Sequence, residues 1–104
     1  MKDEILQFIN DFKKLNLSIE ILFMEGYCYW FAFILKERFN GDIWYFPIEN
    51  HFITKIGNSF YDICGEINMD NREKPYNWEE FKKYEPINSK VIERDCILKQ
   101  RRTD

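Results

Sequence analysis

The sequence predicts an α+β fold, in which a buried helix carrying Cys28 at its N-terminus packs on a small antiparallel sheet. Three observations lead there. Residues 27–35 are almost wholly apolar but too few to span a bilayer, which marks a core helix. Three strand-like runs follow, joined by connections of hairpin length, which favours antiparallel pairing. The 104 residues make one domain, 1–104. A chain of that size buries roughly 65% of its unfolded surface around a single core.

The elements follow in order. Ile5, Phe8, Ile9, Phe12 and Leu15 recur at helical spacing, so residues 3–15 are expected to form an amphipathic helix capped by Asp3. Residues 16–24 fit either period: Ile19, Ile21 and Phe23 alternate, while Leu22 and Met24 fill the other face. Residues 27–39 are expected to form the central helix, stopped by Asn40-Gly41. Residues 42–46 read as a strand ended by Pro47. Residues 51–56 and 59–64 read as a hairpin about Gly57-Asn58, where glycine first suits a type II′ turn. A polar loop spans 65–77, long enough to be functional or mobile. Asn77 can cap a short helix over 78–84. Residues 87–92 are expected to form a last strand, and 94–102 a final helix.

Composition bounds the function. Fifteen Lys and Arg against eighteen Asp and Glu give a net charge of −3, which disfavours a nucleic-acid partner. The basic cluster of Lys99, Arg101 and Arg102 is read as a solvated helix end. No charged-then-apolar leader and no long apolar run is present, so no membrane partner is expected. Cys28, Cys64 and Cys96 are odd in number and widely spaced, which points to a reducing cytoplasm rather than a disulfide framework. With one histidine and no CxxC pair, neither a metal nor another cofactor is expected. The nineteen aromatic residues serve packing or line a pocket.

The chemistry-bearing residues are Cys28, His51 and Asp62. A thiol at a helix start meets the positive end of the macrodipole and unpaired backbone N–H groups. Both favour the thiolate, and the same N–H groups can hold an oxyanion. Gly26 removes bulk beside it. The plain alternative is a small core cysteine. Cys64 and Cys96 lack the helix-start setting and are assigned to the core. If Gly57 and Asn58 are the turn residues, Ile53 faces Asp62 and His51 faces Cys64. His51 and Asp62 then share one face as diagonal neighbours, a separation their side chains bridge. A change of one residue in the loop would put Asp62 on the other face.

Gly26-Tyr27-Cys28 opening an apolar helix, His51 starting a strand, and Tyr61-Asp62 in the next strand resemble the minimal core of the papain-like cysteine hydrolases and transferases. Transglutaminase-like and NlpC-type domains are the nearest flavours, and arylamine N-acetyltransferases use a similar order. The resemblance covers roughly residues 26–65. It implies Cys28 as nucleophile, His51 as base and Asp62 as orienting carboxylate. For a side-chain oxyanion donor upstream of the nucleophile, Gln7 is the one suggestion.

Two functions are therefore expected. One is a small thiol hydrolase or acyltransferase, acting on the amide or thioester carbonyl of a protein, peptide or small-molecule substrate. The other is a non-catalytic protein-binding module, such as a phage or mobile-element factor, that reuses the fold.

Overall fold

Asn40 and Gly41 turn the central helix into the sheet, as their residue types require. Asn40 adopts the left-handed conformation (φ 57°), and the Gly41 N–H donates to the Lys36 carbonyl at 3.1 Å. A Cβ on Gly41 would lie 2.6 Å from the Lys55 carbonyl oxygen and 2.9 Å from Ile56 Cγ1. Only glycine lets the backbone pass that close. Gly41→Ala is therefore expected to destabilise the protein by about 2 kcal/mol through overpacking. The check is urea unfolding, and an unchanged midpoint would mean that the turn shifts freely.

The computed structural model describes residues 1–16 and 18–98. The helices are α1 (Lys2–Lys13), α2 (Ile19–Glu25), α3 (Cys28–Phe39), α4 (Trp78–Tyr84) and α5 (Pro86–Ile92), followed by a π-helical stretch, Glu93–Leu98. The strands are β1 (Asp42–Phe46), β2 (His51–Ile56), β3 (Ser59–Asp62), β4 (Gly65–Glu66) and β5 (Tyr76–Asn77). They form one sheet in the order β4-β3-β2-β1-β5, with every pairing antiparallel. The fold is thus α+β with a small antiparallel sheet. Among the described residues, no helix is long and apolar enough to cross a membrane.

The hairpin takes the expected register, with Ile56 opposite Ser59 and Thr54 opposite Tyr61. Gly57 has φ +62° and Asn58 has no positive φ, the signs of a II′ turn. Strand alternation then assigns the faces. The buried Thr54 hydroxyl donates to the Ala32 carbonyl of α3 at 2.9 Å, which marks the face that α3 covers. Phe52 packs there with Cys28 and Ala32, and Ile56 and Tyr61 pack with Phe31, Leu35 and the α1 residues Ile5 and Ile9. Ile53 turns the other way, into a smaller cluster with Phe46 and Ile67.

Several expectations are corrected. Residues 87–92 are not a strand but lie in α5: Pro86 takes the first helical position, and Ser89 bonds back to the Pro86 carbonyl at 3.1 Å. Most of the ambiguous segment, from Ile19 on, lies in α2. Asp3 does not cap α1: the cap position is Met1, without a side-chain bond, and Asp3 sits in the first turn. Asn77 does cap α4, accepting from the Glu80 N–H at 3.2 Å. The supposed loop 65–77 holds β4 and β5, which extend the sheet at both edges. In α3, Phe31, Ala32 and Leu35 are buried, but Phe33 reaches solvent because the sheet covers only one side. Part of the expected final helix, including its basic cluster at 99–102, lies outside the described residues.

Candidate active site

Three element ends meet here. Cys28 is the first residue of α3, His51 the first of β2 and Asp62 the last of β3. All three are buried, at 6%, 7% and 8% exposure. His51 Nε2 lies 3.1 Å from Asp62 Oδ2. The other Asp62 oxygen, Oδ1, accepts the Cys64 N–H at 2.8 Å, so the carboxylate is held at both ends. Alternation puts His51 and Asp62 on the face away from α3. Cys28, at the start of α3, lies close enough to His51 to act on its pKa.

The His51 imidazole is pushed up to about 9. Burial alone would lower it. Hydrogen bonds to Asp62 and to Cys28, and the negative charge of each, outweigh that burial. Asp62 engages the ring at Nε2. The helix start beside Cys28 is bare: the cap residue Tyr27 offers no side-chain bond to the first amides. Their N–H groups therefore keep the capacity to bind an oxyanion.

Sequence reasoning did not single out the residues around this centre. Asn50, left-handed at φ 52°, immediately precedes His51. Its amide oxygen accepts the Tyr45 hydroxyl, and its amide nitrogen donates to Cys96 Sγ at 3.1 Å. The Tyr45 hydroxyl is pushed up to about 12 by burial, and then by the charges of Cys96, Cys28 and Glu73. Asn50 alone carried a signal, as a turn residue next to the lone histidine. Tyr45 looked like any strand aromatic.

Three assignments change. Cys64 is exposed rather than in the core. Burial, the Asp62 charge and a 3.6 Å contact with Glu20 all raise its thiol pKa. Cys96 is half-buried at the margin of the core. Gln7 stands apart from Cys28: its amide donates to Asp11 at 2.9 Å, and it borders a surface cavity shared with Cys64 and Gly65.

The model of one family, described as Phage YunG-like protein, matches residues 5–94, a span that includes Cys28, His51 and Asp62. No curated protein and no solved structure matches the chain.

Proposed function

The chain belongs to the Phage YunG-like family, and from that premise we propose a small thiol-dependent factor that acts on an amide or thioester carbonyl. The observation that carries the proposal is the buried His51–Asp62 bond of 3.1 Å, with Cys28 close enough to His51 to help raise its pKa. In this reading the thiol proton rests on His51, and Asp62 steadies the imidazolium. The Cys28 sulfur attacks the carbonyl carbon, and the carbonyl π pair moves onto oxygen beside the first N–H groups of α3. As the carbonyl re-forms, the bond to the leaving amine or thiolate breaks, and the leaving group takes the His51 proton. Water or an amine then attacks the Cys28 thioester, giving its proton to His51 and releasing the thiolate. A papain-like or transglutaminase-like ancestry belongs to the same proposal. It is supported by the chain order Cys28, His51, Asp62 and by the position of each at the end of an element.

The family membership favours a second reading more than the first, because it speaks of a phage factor and not of a reaction. In that reading the protein works by binding a protein target, and the three buried side chains are a structural network. The near-complete burial of Cys28 suits it.

Alkylation separates the two. The intact protein is treated with iodoacetamide from about pH 6 to about pH 9, and each cysteine is followed by mass spectrometry. In the thiol reading Cys28 labels faster than Cys96 near neutrality. Cys64, exposed but with a raised pKa, should accelerate as pH rises. Cys28 labelling no faster than Cys96 at any pH would leave the binding reading.

A further inference from the structure

A groove of about 440 Å³ opens beside the β5 edge of the sheet, lined by Pro47, Tyr76, Glu80, Phe81, Tyr84 and Glu85. Phe81 is the best-anchored of the lining rings. Its ring centroid lies 5.6 Å from that of Tyr45, 5.7 Å from Trp78 and 6.2 Å from Tyr76. Two of the rings face solvent: Tyr84 is 82% exposed and Tyr76 48%. Aromatic side chains exposed along one groove of a small protein mark a contact surface.

The charges are one-sided. None of the lining residues is Lys or Arg. Among the described residues neither Glu80 nor Glu85 has an ion-pair partner, and the nearby Lys82 is turned to Glu79 at 3.1 Å. Glu85 accepts a hydrogen bond from Asn88, which leaves its charge uncompensated.

Aromatic faces beside two unpaired carboxylates are complementary to a planar, weakly hydrated cation. We propose that this groove docks a basic peptide segment of a target protein, seating an arginine between the Tyr76, Phe81 and Tyr84 rings and the Glu80 and Glu85 carboxylates. The guanidinium stacks on the rings and donates paired N–H bonds to a carboxylate, while neighbouring apolar residues of the segment cover the exposed Tyr84 ring. The groove is connected to the candidate centre through the chain. Pro47 begins the 47–50 turn that ends at His51, and Tyr45, behind Phe81, donates to Asn50 in that turn. The inference rests on the reading that the chain acts on a protein, and it is independent of whether Cys28 reacts.

The test uses the full chain and short fluorescein-labelled peptides with arginine, citrulline or leucine at the centre, read by anisotropy. The arginine peptide is expected to bind at least about ten-fold tighter than the isosteric, uncharged citrulline peptide. Glu80→Gln with Glu85→Gln, and separately Tyr84→Ala, should each remove most of that preference. All are exposed positions, and thermal melting confirms that the variants fold. Cys28→Ala should bind like the parent, so a failed groove and a failed thiol are told apart. Equal binding of arginine and citrulline peptides, or none below about millimolar, overturns the proposal. So does a dimer in light scattering that Tyr84→Ala dissociates, since the occupant would then be a second copy of the chain.

Discussion

Cys28→Ala is expected to abolish thiol-dependent activity while the protein stays folded. In the proposed reaction Cys28 forms the covalent bond to the acyl group, and neither other thiol is placed to replace it. Cys64 is exposed and faces Glu20, and Cys96 is engaged by Asn50. The structural cost is small for three reasons. Alanine suits the first turn of a helix. The change removes a single buried atom and leaves the rest of the cluster in place. The anchors of the surrounding cluster, Phe52, Tyr45 and Trp78, remain in contact, with ring centroids 4.7 Å and 4.9 Å apart about Phe52. We expect a loss of at most about 1 kcal/mol in stability beside a loss of all measurable turnover. The measurement pairs thermal unfolding with hydrolysis of a panel of amide and thioester substrates, or with the phenotype of expressing the protein in a bacterial host. A folded Cys28→Ala protein that keeps its full phenotype would show that the protein works by binding.

The parts of the fold that the sequence disclosed are those governed by local rules. The Gly57-Asn58 turn sets the register of β2 and β3, and the register brings His51 beside Asp62. Asn77, capping α4, and Asn40-Gly41, ending α3, are similar local signals. Residues 87–92 misled because Ile87, Val91 and Ile92 are β-branched. The competing signal, Pro86 at a helix start, decided the outcome, and α4 packs beside the resulting helix. β4 and β5 have two residues each, too few for any period to appear, and they exist because a neighbouring strand offers an edge. The surroundings of the candidate centre depend on the path of the 47–50 turn. There Glu73 accepts the N–H groups of Ile48 and Glu49 at 3.0 Å and 2.8 Å from more than twenty residues away. No local pattern announces such a contact, so the partnership of Tyr45, Asn50 and Cys96 could be seen only in three dimensions.

His51→Ala is expected to damage both activity and stability, and Asp62→Asn to do less of each. No second histidine exists to carry the proton, so the alanine variant loses the acid and base of the proposed reaction together. It also leaves the Asp62 carboxylate buried, with Oδ1 still on the Cys64 N–H and Oδ2 without its partner. Breaking a buried pair from one side costs about 3 kcal/mol, which in a domain of this size lowers the melting temperature by roughly 15 °C. Asp62→Asn keeps an acceptor for the Cys64 N–H and keeps the imidazole in place. It removes the charge that holds the imidazolium and favours the wrong tautomer, for a loss of activity of about 10²–10⁴-fold. The pH dependence gives an independent reading. His51 stands at about 9 in the folded protein, against an ordinary value of 6.5. The folded state therefore holds an extra proton between those values. Its contribution to stability is complete below about pH 6.5 and is lost as pH rises through about 9. Unfolding followed across that window should show the parent weakening toward alkaline pH, Asp62→Asn weakening less, and His51→Ala lacking this component. If His51→Ala keeps the parent's full slope, the proton is held elsewhere, and His51 is not the charged partner of Asp62 and Cys28.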